Sequence, residues 1–154
     1  MLFRPYDPAD FTALYAIEEL CFEPPIRFSR VYMQRLIAGP DAATWVAEDD
    51  SQIAGFTIVE WYDDALAHRV AYIQTIEVAP AFRRRGIASA LLHKVENSAR
   101  EAGAVVIWLH VESTNASAIR LYAAHGFTPQ GSEPHYYARG RNADIYSKPL
   151  KARD

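Results

Sequence analysis

One stretch constrains the fold more than any other. Val70 to Val78 is rich in β-branched and apolar residues, and Pro80 ends that strand because proline cannot supply a ladder donor. From about Gly86 to Ala102, a core stripe of Ala88, Leu91, Leu92, Val95 and Ala99 recurs at helical spacing. Gly103 is placed for a left-handed C-terminal cap, and Val105 to Val111 follows as a nearly continuous apolar run, as expected of a strand covered on both faces. Strand, helix and strand in that order predict two roughly parallel neighbours joined by a right-handed crossover.

The flanking segments extend this unit into a mixed α/β fold. Leu2 to Pro5 reads as a short first strand. Asp10 is a plausible N-cap for a helix to about Phe22, with Phe11, Leu14, Ile17, Leu20 and Cys21 on one face. Ser29 caps a second helix, with Tyr32, Met33, Leu36 and Ile37 inward and Gly39-Pro40 as its stop. Thr44 to Glu48 and Ile53 to Tyr62 are strands around the turn Asp49-Asp50-Ser51, and Ala65 to Arg69 is a loop. Asn115 to His125 is a helix with Ala118, Ile119, Tyr122 and Ala123 inward, stopped by Gly126. Phe127 to Gln130 and Asp144 to Leu150 are the last strands, separated by a loop from Ala138 to Asn142. The expected order is β-α-α-β-β-β-α-β-α-β-β, with seven strands and about four helices.

Composition narrows the setting. A chain of 154 residues, half of them hydrophobic and 23% charged, predicts a single domain over residues 1–154. A net charge of −3 argues against nucleic acid as a partner. No segment is apolar for the roughly 18 residues a membrane helix needs, and Met1 to Pro5 does not read as a secretory signal. Cys21 stands alone, so no internal disulfide is possible and a reducing cytoplasm is the expected location. His68, His93, His125 and His135 are scattered without ligand spacing, so no metal is expected. Nothing in the sequence specifies an oligomeric state.

The basic run Arg83-Arg84-Arg85 would alone be a solvated turn. Here it leads through Gly86, Ile87, Ala88 and Ser89 into the long helix. A helix N-terminus offers unpaired N–H groups and partial positive charge, and Gly86 lets the backbone come close. The combination suits a diphosphate. It is neither a P-loop nor a three-glycine dinucleotide fingerprint.

Arg83-x-x-Gly86-x-Ala88 resembles the Q/R-x-x-G-x-G/A signature of the GNAT acetyltransferases. Asn115-x-x-Ala118-Ile119-x-Leu121-Tyr122-x-x-x-Gly126-Phe127 resembles the second motif of that superfamily. Asn115 and Tyr122 lie seven apart on one helical face, and a core stripe needs neither polar group. The resemblance covers nearly the whole chain. It implies the GNAT fold and acetyl-CoA as cofactor. The diphosphate would lie on Arg83 to Ser89, and the pantetheine on the backbone of Ile76-Glu77-Val78 and on Asn115. Tyr122 would be the general acid.

Within the superfamily the chain looks most similar to protein N-terminal (Nα) acetyltransferases, including the ribosomal-protein-alanine type. His135-Tyr136-Tyr137 matches a tyrosine pair that touches the substrate's N-terminal backbone there, and Phe22-Glu23-Pro24-Pro25 loosely matches the loop shaping the first-residue pocket. The resemblance thus implies substrate contacts for Phe22, Pro24, Tyr136 and Tyr137. Since adjacent strand residues face opposite ways, one tyrosine of the pair is expected to be structural. Tyr72-Ile73-Gln74-Thr75 matches the motif Y-I-x-T of one branch, whose tyrosine pairs with a histidine at the position of His110; that pair would activate the amine. The ribosomal-alanine type has a glutamate there, which speaks against a ribosomal substrate. Glu77 and Glu112 are alternative bases.

The implied reaction is acetyl transfer to a primary amine. An α-amine has a pKa near 7.8 and a lysine near 10.4, so freeing the lysine costs about 3.5 kcal/mol more at neutral pH. A base titrating near 6.5 suits the α-amine. A protein or peptide N-terminus is therefore the expected acceptor. The alternatives are a small amine or lysine side chain, and a non-catalytic acyl-CoA-binding module.

Overall fold

In the computed structural model, residues 1–151 are described; the last three residues of the expected 1–154 domain, Ala152 to Asp154, lie outside them. Seven strands form one sheet: β1 (Leu2–Pro5), β2 (Ala42–Asp49), β3 (Gln52–Asp63), β4 (Arg69–Val78), β5 (Val106–Glu112), β6 (Thr128–Ala138) and β7 (Arg141–Pro149). They lie side by side in the order β1-β2-β3-β4-β5-β7-β6. Four helices complete the fold: α1 (Phe11–Cys21), α2 (Arg30–Ala38), α3 (Ile87–Glu101) and α4 (Ala116–Ala124). The order of elements is the expected one, and β4 with β5 is the parallel pair in an otherwise antiparallel sheet. No helix among the described residues is long and apolar enough to cross a membrane.

The helices cover both faces. Leu14, Ile17 and Met33 of α1 and α2 pack on Val46, Phe56 and Ile58. On the other face, Leu92, Val95 and Ala99 of α3 pack with Ala71, Ile73, Ile107 and Leu109, and Tyr122 of α4 joins them. Ser29 caps α2 as expected, accepting from the Tyr32 N–H. Asp10 does not cap α1 with its side chain. Its carboxylate takes two hydrogen bonds from Arg4, at 2.8 and 2.9 Å, and the Arg4 guanidinium holds it below the usual carboxylate range.

Several inward assignments are corrected. Leu20, Tyr32 and Ala123 are exposed, because Tyr15 and Glu18, Met33, and Ala118 with Ile119 hold the arcs that meet the sheet. β5 is not a strand sealed alike on both faces. Ile107, Leu109 and Val111 are buried under α3 and α4, while Trp108, His110 and Glu112 alternate with them and are half-buried.

The feature that makes a site possible is a fork. β4 pairs with β5 only from Val70 to Tyr72, against Val106 to Trp108. Beyond that point β4 continues with β3 to Val78, and β5 continues with β7 to Glu112. The cause is local. Ile58 pairs with Thr75 and Val59 with Ile73, so Gln74 is an extra residue in β4. A bulge bends its own strand, here just where the two parallel strands part.

Candidate active site

The fork opens a cavity of about 140 Å³, lined along β4 by Ile73, Gln74, Thr75 and Ile76 and along β5 by Leu109 to Glu112. It joins the two faces of the sheet.

On the α1 side, Tyr72 and Trp108 are neighbours in register, with ring centroids 4.6 Å apart. His110 lies two residues further along β5 on the same face. Tyr72 Oη is 2.7 Å from His110 Nδ1, as the sequence match implies. Tyr136 stacks on the imidazole at 4.0 Å and 11°, and Tyr137 stands edge-on to Tyr136 and lines the cavity. The alternation that would have separated the two tyrosines fails. The β6–β7 register shifts between Glu133 and Ala138, and His135 sits at φ +59, so the strand is re-aimed and both rings reach the site. β6 is accordingly longer than the expected Phe127–Gln130, and the expected loop from Ala138 to Asn142 shrinks to Arg139-Gly140 between paired Ala138 and Arg141. Burial pushes the Tyr72 and Tyr137 phenols up, so both stay neutral at physiological pH.

On the α3 and α4 side, Tyr122 reaches the same cavity. Burial pushes its phenol up as well, so the hydroxyl keeps its proton. Asn115 caps α4 by accepting from the Ala118 N–H and lines the cavity too. Phe22 lines the cavity, whereas Pro24 is exposed outside it; Ile26 and Phe28 take the place expected of Pro24.

Neither alternative carboxylate is a free base. Glu112 is held by a two-pronged bond from Arg141, at 2.7 and 2.9 Å. Glu77 is 3% exposed and faces Glu18 of α1, also buried; burial first, and then Glu18, hold Glu77 well above the usual carboxylate range. A proton kept on Glu77 satisfies both carboxyls, whose Oε1 atoms otherwise have no partner. A raised carboxyl pKa contributes stability that is full below the ordinary value near 4.5 and is lost as pH rises through the folded value. As pH rises above the ordinary carboxyl range, urea unfolding should therefore show wild type losing stability relative to Glu77→Gln. Parallel pH profiles for the two proteins would mean that Glu77 is ionised in the fold.

At the end of β4 lies the expected cradle. Gly86 is the N-cap of α3 at φ +76, without a side-chain cap, unlike α2 and α4. A Cβ built on Gly86 meets nothing within 4 Å, so the space before the helix is open. Arg84 adopts φ +66, so a second left-handed residue stands two positions before Gly86. Turns that include left-handed residues can aim successive N–H groups at one point, as an anion nest requires. The three arginines differ in setting. Arg83 folds back on the Val78 carbonyl at 3.1 Å, Arg85 meets Asp49 at 3.4 Å, and Arg84 makes no hydrogen bond or ion pair among the described residues. Ile87 is buried, and the Ser89 hydroxyl is 3.1 Å from His125 Nε2, so these residues turn backbone rather than side chains to the opening. Beyond Tyr72 the β5-facing edge of β4, Ile76 to Val78 included, has no strand partner. An open edge leading to an uncapped helix fits a chain of amides that ends in a diphosphate.

The chain matches the acetyltransferase (GNAT) family over residues 11–127 and belongs to that family. It is an acetyl-CoA-dependent N-acetyltransferase. It is 32% identical over 118 residues to an N-alpha-acetyltransferase of Sulfurisphaera tokodaii, with 71% of each chain covered. It is 37% identical over 114 residues to streptothricin acetyltransferase of Streptomyces lavendulae, covering 71% of this chain and 59% of that one. Among solved structures it is similar to NAA60 of Arabidopsis thaliana. With the bisubstrate-analogue complex the TM-score is 0.87 at 25% identity, covering 99% of both chains. With the acetyl-CoA complex it is 0.84 at 25%, covering 97% of this chain and 98% of that one.

Proposed function

We propose that the chain is one catalytic domain that acetylates the α-amino group of a protein or peptide N-terminus. The observation that carries this reading is the Tyr72–His110 pair at 2.7 Å on one side of the fork, with Tyr122 on the other side of the same cavity. Acetyl-CoA supplies the acetyl group already activated as a thioester. The open edge of β4 at Ile76, Glu77 and Val78, with Asn115, holds the pantetheine. The backbone from Arg83 through Arg84, Arg85, Gly86, Ile87, Ala88 and Ser89 holds the diphosphate.

The acceptor enters between the α1–α2 segment and β6, where Phe22, Ile26 and Phe28 present an apolar wall and Tyr136 and Tyr137 an aromatic one. Tyr72 and His110 take the proton from the amine. Tyr122 holds a proton on Oη for the leaving sulfur. Base and acid thus stand on opposite faces of the sheet and meet only through the fork. The relationship to the Sulfurisphaera tokodaii enzyme and to NAA60 supports the Nα reading. The relationship to streptothricin acetyltransferase keeps a small amine as the second reading.

The test is thiol release from acetyl-CoA against short peptides differing in first residue, with polyamines, streptothricin and N-blocked lysine peptides alongside. Turnover confined to free N-termini is the expected result. Turnover on the other amines alone would discard the substrate class and keep the cofactor.

A further inference from the structure

His110 has a second partner that no motif announced. Its Nε2 is 3.0 Å from Glu133 Oε1, while Nδ1 faces Tyr72 Oη at 2.7 Å. The imidazole side chain is 7% exposed and lies beneath Tyr136, so these contacts hold a nearly enclosed ring. Glu133 reaches it from β6, across β7. Ala143 pairs with both Glu133 and Glu112, and paired residues share a face, so a small side chain leaves room for the glutamate to cross toward His110.

We propose that Glu133 is a positioning residue that fixes the tautomer of His110, an inference that rests on the reading of His110 as base. A neutral imidazole has one N–H and one lone pair, and a carboxylate only accepts. Opposite Glu133, the ring proton therefore sits on Nε2, and the Nδ1 lone pair receives the Tyr72 O–H. A hydroxyl can donate or accept, so Tyr72 alone would leave both tautomers open. With the proton on Nδ1, Tyr72 could not pass its own proton to the ring.

The tautomer sets the direction of the relay. As the substrate ammonium gives a proton to Tyr72 Oη, the Tyr72 hydroxyl proton moves to Nδ1. Tyr72 ends neutral, His110 ends as an imidazolium with a proton on each nitrogen, and the amine keeps the electron pair it needs to attack. Glu133 faces the new positive charge. Tyr72 never has to ionise, which agrees with the burial that pushes its phenol up. A carboxylate orienting a histidine base is the logic of a hydrolase triad, with a tyrosine here standing between base and substrate.

The test uses three variants: Glu133→Ala, His110→Ala and the double variant. First, 15N resonances of the His110 imidazole in the substrate-free protein should report the Nε2–H tautomer in wild type and a mixture in Glu133→Ala. Second, kcat of Glu133→Ala on the best peptide should fall about tenfold to hundredfold, below the 10²–10⁴ a whole base supplies, with KM for acetyl-CoA unchanged. Third, Glu133→Ala should cost nothing further in the His110→Ala background. An unchanged tautomer and unchanged kcat in Glu133→Ala, with His110→Ala strongly impaired, would overturn the role of Glu133 alone. Full activity in His110→Ala would overturn the base reading beneath it.

Discussion

Tyr122→Phe is expected to lower kcat by about 10²–10⁴-fold, the range for one positioned proton donor, with little change in acetyl-CoA affinity. The change removes one oxygen and nothing that holds the fold. The ring stays packed 5.7 Å from Phe127, and among the described residues none hydrogen-bonds its hydroxyl. The hydroxyl also lies on the α4 side of the cavity, where burial keeps it neutral. Steady-state kinetics with acetyl-CoA and peptide varied separately, beside isothermal titration with coenzyme A, would separate rate from binding. Unchanged turnover would remove Tyr122 as the acid; lost affinity with unchanged kcat would make it a binding residue.

Gly86→Asp is expected to raise the acetyl-CoA dissociation constant by at least about a hundredfold while leaving the protein folded. The Cβ meets nothing, and Asp is among the side chains that enter the left-handed region most readily, so the conformational cost is about 1–2 kcal/mol or less. The new carboxylate would occupy the N-terminus of α3 in place of the diphosphate. A like charge 4 Å away costs about 4 kcal/mol at an effective dielectric of 20, which is more than enough for two orders of magnitude. Gly86→Ala isolates the backbone strain, and thermal melts of both variants check the fold. Tight binding by a well-folded Gly86→Asp protein would place the diphosphate elsewhere.

The split between what was legible in the sequence and what was not follows the range of the interactions involved. The glycine start of α3 at Gly86, the start of the next helix at Asn115 and the inward face that carries Tyr122 could be read because capping and helical periodicity are local. The Tyr72–His110 contact was implied by the resemblance of Tyr72-Ile73-Gln74-Thr75 to a family motif, and the parallel pairing of β4 with β5 is what brings the two side chains together. Pro24, Leu20 and Tyr32 were misplaced because a loop or helix face does not announce which neighbour will cover it. Ile26, Phe28 and Glu18 were missed for the same reason. Glu133 gave no signal, since it stands three residues before the tyrosine pair on an exposed edge strand and meets His110 only across β7.

The sequence by itself determined the order of seven strands and four helices, the parallel β4–β5 pair and the uncapped glycine start of α3. These depend on periodicity, turn chemistry and capping, which are local. Only the tertiary structure decided that β4 and β5 part after Tyr72, that a bulge at Gln74 opens the fork, and that two register shifts in β6, between Pro129 and Gly131 and between Glu133 and Ala138, bring Glu133 and Tyr136 onto His110. Bulges and register are set by the pairing of strands distant in sequence, where one extra residue redirects every side chain beyond it.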